Sequence, residues 1–550
     1  MEKIRVFVLI LMMGLLILGS HVYGRALIFV ANFDQKTLYQ PKMVSGQIKG
    51  RILDYETQKP LAGVKVEIMD RDWKTQSDEA GYYVLSEVPV GHYVLSFQME
   101  GYYSDTRTDV IIRSSRITFV NVELLRVRSI QVEVSVTADY FPTAINKSSS
   151  QTKFNSEEVR RNAGGLGVDI SRVLYNAPGV AKADEVANDL IIRGGSPTEN
   201  GFYINNIFIP NINHFPQWGA SGGNVSMLNL DFVERVEVLT GGFEASFGNR
   251  LSSIIDIDYR EGNRERINSQ LNLSLVGFGA QIEGPLPGSK GSWMISGNRS
   301  YMNIINDLLD ETDIPVFHDI QGKLDYNLND SNRLSFLTLI GQSRSKDDPS
   351  ANRIIGDLVV DIPYGSENYT MPTVGLNWRH LWGNKGYSDT SISFSMIKAR
   401  DENRLTSTDE LLEFWEYKQS WITFRNVNHL QLSLTHQFKF GFEWQSIQFR
   451  ASDYLDSVEQ KYRGTFVAGF LTYIVYPFSN FSLSSGVRLD YVPLSERTHI
   501  SPRFSFSWVL TKRLSVNGAY GMFYQQMPLF LIKQHPDNVK LKDPQARHLV

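Results

Sequence analysis

The chain contains no cysteine in its 550 residues. This absence excludes disulfide bonds, thiolate metal sites, cysteine nucleophiles and a lipid anchor on an N-terminal cysteine. A chain of this length is too long for one ordinary hydrophobic core, so we expect several domains. Those domains have to be stabilised without covalent cross-links.

An excess of either charge is also missing. The net charge is −4 and the isoelectric point is about 6.2, which gives no electrostatic indication of a nucleic-acid partner, and we predict none. Aromatic residues, by contrast, make up 12% of the chain, with 25 Tyr and 31 Phe. A soluble enzyme can have that content, but a membrane barrel with aromatic girdles is expected to have it.

Long apolar runs are absent beyond the N-terminus. There, Lys3 and Arg5 precede an apolar run over residues 6–19, and small residues follow up to Gly24. This pattern predicts a secretory signal peptide over residues 1–24. The alternative is a membrane anchor, but the run is shorter than the ~20 residues that span a bilayer. Since no later run is long enough for a spanning helix, a membrane protein with this sequence has to be a β-barrel.

Apolar and polar residues alternate from about residue 267 onward, in segments separated by turn residues. The clearest segments are residues 430–444, 483–491 and 514–524, where one face is apolar and often aromatic. A soluble antiparallel sheet would turn that face to a core, whereas a membrane barrel would turn it to lipid. The segments are longer than the about 5–6 residues that are usual for a strand of a globular protein, and a polar stretch at 343–350 suits an extracellular loop. We therefore favour the barrel.

Residues 43–125 predict a small β-sandwich. Short strand-like runs are separated by turn residues, at a spacing that suits a sandwich of seven strands. Four segments in this order resemble the carboxypeptidase-regulatory-like (transthyretin-like) domain, namely residues 60–64, 78–83, 89–93 and 101–102. That domain occurs in many surface proteins, so the resemblance implies location more than function.

Residues 151–262 predict a compact α/β region. A helix is expected to start at Ser156, with carboxylates in its first turn, and a short amphipathic helix is expected over residues 168–175. Strand-like runs follow at residues 189–193, 201–209 and 232–240.

The run over residues 190–215 closely resembles the plug domain of TonB-dependent outer-membrane receptors. The family pattern is an Ile-Arg-Gly element followed by a Tyr-x-Asp-Gly element, and this chain has Asn205-Asn206 in place of Asp-Gly. Both pairs favour a tight turn with positive φ, so the departure costs little. A second block at 228–248 and a closing strand at 250–257 follow at the expected distances.

The resemblance assigns these residues to the plug motif: Arg193, Gly194, Gly195, Tyr203, Asn205, Asn206, Glu234, Arg235, Glu237, Gly241, Gly242, Gly248 and Arg250. The charged members are candidates for ion pairs between the plug and the barrel wall. Such pairs are individually worth little in a wet lumen, which suits a plug that must also move. The alternative is that they are surface charges of an ordinary α/β domain.

Residues 126–150 predict a linker between the sandwich and the plug. It contains one alternating segment, formed by Val132, Glu133, Val134, Ser135, Val136, Thr137 and Ala138. One interpretation of this segment is a further edge strand. The other is a TonB box, which pairs by strand addition with the energy-coupling protein TonB. The position just before the plug supports the TonB box.

The resemblance implies an importer in the outer membrane of a Gram-negative-type bacterium. Extracellular loops and the plug apex would bind a scarce solute, and TonB would shift the plug with energy from the inner-membrane proton gradient. The implied partners are TonB, outer-membrane lipid, a surface lipoprotein and the solute (siderophore, cobalamin, glycan or peptide). The candidate ligand contacts at the apex are Asn211, Asn213, His214, Phe215 and Trp218. The alternative function is outer-membrane binding or adhesion without active transport.

Motifs of enzymes are weak in this chain. Residues 219–223 match Gly-x-Ser-x-Gly, but a nucleophile elbow needs a strand before it and a helix after it, and the flanking residues predict neither. The ten histidines are scattered, and none has the spacing of a zinc carboxypeptidase. We predict no catalytic residue, no metal site and no cofactor.

The length of the barrel region limits its strand number. A plugged barrel of this type needs 22 strands, whereas the about 285 residues after the plug provide roughly fourteen at ~20 residues per strand. The last residues, 545–550, lack the terminal aromatic that is usual for such barrels. We therefore predict a mainly β chain with a sandwich, an α/β plug and an antiparallel transmembrane β-barrel over residues 263–550, which is incomplete and has an open edge.

Overall fold

The computed structural model describes residues 45–114, 117–127, 150–162, 169–182, 188–216, 222–223, 225–274, 277–301, 315–346, 353–355, 358–360, 363–405, 407–453, 460–492, 495–511, 514–533 and 535–550. The candidate signal peptide, the candidate TonB box and Trp218 lie outside these residues. Within them, no helix is both long enough and apolar enough to cross a membrane.

The N-terminal domain is a sandwich of two sheets, as predicted, but it has eight strands in place of the seven expected, because β7 and β8 are separate short strands that both pair with β1. Its strands are β1 (Ser45–Asp54), β2 (Lys65–Ile68), β3 (Lys74–Gln76), β4 (Tyr82–Pro89), β5 (Gly91–Gln98), β6 (Asp105–Ile112), β7 (Ile117–Phe119) and β8 (Val122–Leu124). One sheet has the order β4-β1-β7, with β8 also paired to β1, and the other has the order β3-β2-β5-β6. Alternate residues such as Ile48, Ile52, Val66 and Phe97 are buried between the sheets, because successive side chains of a strand point to opposite faces.

The plug follows the sandwich and contains both helices and strands. Its elements are β9 (Gln151–Asn155), α1 (Ser156–Asn162), α2 (Ile170–Leu174), β10 (Val180–Lys182), β11 (Leu190–Ile192), β12 (Asn200–Ile204), β13 (Ile207–Ile209), β14 (Asn213–His214), β15 (Val225–Ser226), β16 (Val233–Leu239) and β17 (Ser253–Tyr259). Its main sheet has the order β13-β12-β17-β16-β9.

Two local predictions for the plug are confirmed. Helix α1 begins at Ser156 because the Asn155 side chain accepts hydrogen bonds from the backbone N–H groups of Glu157 and Glu158, while the Glu158 carboxylate accepts one from the Asn155 N–H. Asn205 and Asn206 have φ angles of 48° and 66° and form the two-residue turn between β12 and β13.

The C-terminal region forms one antiparallel sheet of fourteen strands, the number predicted. Its strands and those of a small hairpin (β23 and β24) are β18 (Asn268–Leu273), β19 (Gly277–Pro285), β20 (Gly291–Ser300), β21 (Val316–Asn329), β22 (Asn332–Lys346), β23 (Arg353–Ile355), β24 (Leu358–Val360), β25 (Pro363–Leu381), β26 (Gly386–Leu405), β27 (Leu411–Gln431), β28 (His436–Asp453), β29 (Gln460–Phe478), β30 (Phe481–Val492), β31 (Arg497–Thr511), β32 (Leu514–Tyr524) and β33 (Gln545–Leu549). A short helix, α3 (Leu529–Lys533), precedes β33. In the part of the chain that the structure describes, β18 and β33 are not paired with each other, so the sheet is open, as expected.

The two faces of this sheet have opposite character. On β28, Phe442 is 41% exposed on the outer face, whereas its neighbour Glu443 is 5% exposed on the inner face. On β30, Leu489 and Arg488 alternate in the same way. An apolar outer face and a polar inner face are the arrangement of a membrane barrel wall.

The connections distinguish the two ends of the wall. At one end they are short, as at residues 330–331 and 382–385, and at the other they are long, as at 347–362 and 525–544. We call these the short-turn end and the long-loop end. In outer-membrane barrels short turns face the periplasm and long loops face outward.

Candidate functional site at the plug and the barrel wall

The plug lies directly against the inner face of the wall. Strand β13 packs on β25 and β26, and β14 packs on β22. Asn206 of the turn before β13 accepts a hydrogen bond from Arg425 Nε at 2.8 Å, and its carbonyl accepts one from Ser391 at 3.0 Å. At Gly375 of the wall, a Cβ atom would overlap the side chain of Ile207, so plug and wall approach closely there.

Three arginines of the wall hold one segment of the plug by its backbone. We call Arg425 of β27, Arg488 of β30 and Arg503 of β31 the arginine clamp. The clamp donates to the carbonyl groups of residues 243–247. The bonds run from Arg425 to Ser246 at 2.8 Å, from Arg488 to Ala245 at 3.3 Å, and from Arg503 to Phe243 at 3.0 Å, to Phe247 at 2.7 Å and to Glu244. All three side chains are at most 6% exposed.

The charges of the clamp are compensated inside the wall. Glu443 of β28 accepts from Arg425 at 3.3 Å and from Arg488 at 3.4 Å, and Asp490 accepts from Arg488 at 2.7 Å. Arg503 stacks on Phe523, with its guanidinium carbon 4.2 Å from the ring centroid. Because burying an unpaired charge is costly, these partners are what allow three guanidinium groups to sit between plug and wall.

The glycines of the plug motif are explained by close approach and backbone conformation. A Cβ atom at Gly248 would overlap the Arg488 guanidinium, and one at Gly195 would overlap the Ser252 hydroxyl. Gly241 and Gly242 have φ angles of 122° and 60°, which side-chain-bearing residues rarely adopt. Arg488 can therefore take its place in the clamp only because residue 248 of the plug has no side chain.

At the long-loop end, His214 joins the plug to two strands of the wall. Its Nδ1 atom lies 2.8 Å from Ser343 Oγ, and its Nε2 atom lies 3.3 Å from Asp319. The order of these three groups is that of a hydrolytic triad. However, Ser343 Oγ also accepts from the Phe215 N–H, and all three side chains are buried in the packing of β14 against the wall. The arrangement is a structural contact between plug and wall.

The candidate ligand contacts at the apex are also buried. Asn211 is 3% exposed, Asn213 1%, His214 0% and Phe215 6%. Asn211 shapes the loop locally, since its Oδ1 accepts from the Asn213 N–H and its Nδ2 donates to the Gly222 carbonyl. Direct contact with a solute would require movement of the apex, and the ligand role of these residues stays a prediction.

A cavity of about 190 Å³ lies near the apex, between the plug, the wall and the segment before α3. Its walls combine aromatic rings and amides: Tyr203, Phe208, Tyr417, Trp421, Phe449, Gln419, Gln445, Gln525 and Gln526. The Gln525 side chain is 7% exposed, and its Oε1 atom has no hydrogen-bond partner among the described residues. This pocket was not predictable from the sequence, because its residues come from distant segments that only the barrel brings together.

The charges of the plug motif form no ion pair with the wall among the residues that the structure describes. Among the described residues, Arg235 pairs with Asp258 of the plug at 2.5 Å and with Glu123 of the sandwich at 3.5 Å. Glu237 pairs with Lys153 of the plug, Glu234 bonds to Asn121 of the sandwich, and Arg250 donates to the carbonyls of Asn200 and Asn249. Arg193 is exposed. Arg235 and Glu237 therefore lie on plug surfaces that face the sandwich or the plug itself, whereas Arg250 lines the pocket between plug and wall.

Comparison with known proteins agrees with this architecture. Residues 47–125 match the model of the carboxypeptidase regulatory-like domain, and residues 144–253 match that of the TonB-dependent receptor plug domain. The TonB-dependent transporter Oar of Myxococcus xanthus is 27% identical over 234 residues, which are 40% of this chain and 21% of that protein. The chain therefore spans about a fifth of the length of this relative.

Solved structures share the fold at low identity. A ferric enterobactin receptor (PfeA) mutant of Pseudomonas aeruginosa is 16% identical with a TM-score of 0.54, over 71% of this chain and 64% of that one. The FrpB iron transporter of Neisseria meningitidis is 12% identical with a TM-score of 0.52, over 72% and 66% of the two chains.

The fold, the plug within the wall and these matches define the class. The chain carries a carboxypeptidase regulatory-like domain in front of a TonB-dependent receptor plug domain, and its wall shares the fold of the outer-membrane receptors to which it is similar. Proteins of this class are located in the outer membrane of Gram-negative bacteria.

Proposed function

We propose that this chain imports a scarce solute across the outer membrane, with energy supplied through TonB. The observation that carries the proposal is the arginine clamp. It holds the plug in the lumen by hydrogen bonds to backbone carbonyls of residues 243–247, without a covalent bond. Such a plug keeps the lumen filled at rest and can be displaced by an applied force.

We place the first solute contact in the aromatic pocket near the apex. Aromatic rings and amide groups line it, and the buried Gln525 Oε1 needs a hydrogen-bond donor. The cation that lines the pocket, Arg250, is held by the carbonyl groups of Asn200 and Asn249, and Glu443 also lines it. These features favour an uncharged polar group of the solute at this position.

Uptake by cells tests the energised import. The probes are labelled ferric enterobactin, cyanocobalamin, maltoheptaose and a pentapeptide, each offered separately. Val134→Pro should abolish uptake of the transported probe while its binding to cells persists, because proline removes a backbone donor needed for strand addition. Val134→Ala is the matched control and should import normally. Uptake that survives both Val134→Pro and deletion of residues 132–138 would contradict the proposal and favour binding without transport.

Binding tests the pocket separately. Gln525→Leu removes the unpartnered acceptor and should weaken binding of the transported probe at least tenfold, because a bond to the solute is lost. Gln448→Leu, on the outer face of β28, makes the same change away from the pocket and should bind normally. Equal affinities of the two variants would place the solute elsewhere.

A further inference from the structure

The sandwich lies across the short-turn end of the wall and contacts it through one loop. We call residues 55–59 the docking loop. Its contacts with the wall run from Glu56 to Gln431 and Gln437, from Gln58 to Arg379 at 2.9 Å and from Lys59 to Asn384 at 2.6 Å. Glu56 and Gln58 are at most 8% exposed, so the loop packs against the short-turn end of the wall, which we call the rim.

A second contact joins the sandwich to the segment between plug and wall. The guanidinium groups of Arg51 and Arg264 each lie 5.0 Å from the centroid of the Tyr82 ring. Its hydroxyl donates to Glu261 at 3.2 Å, and Glu261 also pairs with Arg333 of the wall at 2.6 Å. Together with the Glu123–Arg235 pair, these contacts hold the sandwich beneath the plug at several places.

These contacts border a chamber below the plug. A cavity of about 1040 Å³ is lined on one side by the sandwich, on another by plug strands β16 and β17, and on the third by the wall. Its lining carries many charged side chains, among them Arg235, Asp258, Arg379 and Asp389. A solute that passes the plug toward the short-turn end enters this chamber, and the sandwich forms its floor.

One buried carboxylate links the docking loop to the start of the linker. Asp54 is 0% exposed. Its Oδ1 accepts from the Glu56 N–H at 3.0 Å, the Thr57 N–H at 2.8 Å and the Thr57 hydroxyl at 2.9 Å, which shapes the docking loop. Its Oδ2 accepts from Tyr102 at 2.8 Å and from Arg126 Nε at 2.6 Å. Arg126 stands at the beginning of the predicted linker that contains residues 132–138.

We propose that the sandwich is a second gate, which closes the periplasmic mouth of the barrel and is released when tension on the linker separates Arg126 from Asp54. When that carboxylate moves, the docking loop loses its conformation, and the hydrogen bonds between the loop and the rim break. Only the source of the tension rests on the proposed function. The closure itself rests on the contacts of the sandwich.

Labelling of one chamber residue tests the closure without any transport. The absence of native cysteine makes Ser335→Cys, on the wall of the chamber, the single thiol of the full chain. Its reaction with a water-soluble maleimide should be slow, and Asp54→Asn should accelerate it at least tenfold because a charge-assisted acceptor is lost. Asp72→Asn, the same change in an exposed turn of the sandwich, should leave the rate unchanged.

A second variant separates release of the floor from unfolding of the sandwich. The double change Glu56→Gln and Lys59→Ala removes rim contacts without altering Asp54, and it should also accelerate labelling of Ser335→Cys. Rates equal to that of Asp72→Asn in both variants would overturn the proposal.

Cross-linking tests the gate during uptake. Lys59→Cys with Asn384→Cys, joined by a short cleavable bismaleimide, fixes the docking loop to the rim. Uptake should fall below a tenth of the rate before cross-linking and recover when the bismaleimide is cleaved. The control pair, Lys59→Cys with Asp409→Cys at the long-loop end, should neither cross-link nor change uptake. Full uptake by the cross-linked protein would overturn the gate. If Val134→Pro leaves uptake intact, the proposed function fails, and the labelling rates still decide whether the sandwich closes the chamber.

Discussion

The plug and the sandwich both rest on the barrel wall, but the wall holds them by different chemistry. Guanidinium groups of the wall reach backbone carbonyls of the plug in a buried interface. The docking loop of the sandwich meets the rim through pairs of side chains, and its Lys59 contact is exposed. A backbone acceptor is present whatever the side chain is, whereas a pair of side chains requires both partners.

This difference predicts which side of each interface tolerates change. Segment 243–247 of the plug can vary in its side chains as long as its carbonyls stay in place, but the clamp arginines cannot be replaced. At the rim, substitution of either partner weakens docking. We therefore expect the plug to be held more strongly than the docking loop.

Loss of a clamp arginine should have the largest effect. Arg488→Gln removes the buried ion-pair partner of Asp490 and leaves Glu443 with Arg425 alone, and we expect a loss of about 3–5 kcal/mol of unfolding free energy. Denaturant unfolding and protease cleavage of the plug measure it. Arg450→Gln, at an exposed position of β28, is the control and should change little. If the two variants unfold alike, the plug is not held by the clamp.

A side chain at Gly248 should have an intermediate effect. Gly248→Ala places a Cβ atom on the Arg488 guanidinium and should cost about 1–3 kcal/mol of unfolding free energy through displacement of the clamp. Gly469→Ala adds the same atom where no other atom lies within 4 Å, so it should be neutral. Equal stability of the two variants would show that the contact between plug and wall adapts freely.

Acidification should have the smallest effect on stability, and this effect concerns the sandwich. Burial tends to raise the pKa of Asp54, but hydrogen bonds from Thr57, Tyr102 and Arg126 and the charge of Arg126 lower it below its ordinary value. A carboxyl group whose pKa is lower in the folded state stabilises that state above its unfolded pKa, and this contribution disappears as the pH falls through the folded value.

The thermal unfolding of wild type and Asp54→Asn measures this contribution. The difference in Tm between them should be constant from pH 7 to pH 5 and shrink only below about pH 4. A difference that already shrinks near pH 6 would contradict the assignment to Asp54.

Local features were predictable because local chemistry determines them. The turn at Asn205-Asn206 follows from the tolerance of asparagine for positive φ, and the start of α1 follows from its capping residues. The alternation from about residue 267 onward predicted which residues of a strand share a face, and Glu443 and Arg488 were correctly placed on the polar face.

The partners of the plug charges were not predictable in the same way. Arg235 and Glu237 follow the family pattern, but whether they meet the wall depends on which surface of β16 turns toward the sandwich. The clamp was missed for the same reason. Arg425, Arg488 and Arg503 come from three different strands, and their register relative to the plug decides their contacts.

The sequence by itself determined the types of elements, namely the sandwich, the α/β plug and a wall with an apolar outer face. It could do so because period-two alternation and turn chemistry act over a few residues. The length of the wall region determined the number of about fourteen strands. Only the tertiary structure decided how the wall holds the plug, where the pocket that contains the Gln525 amide oxygen lies, and that the sandwich sits under the barrel mouth. These features depend on residues hundreds of positions apart, and no local pattern encodes the distance between them.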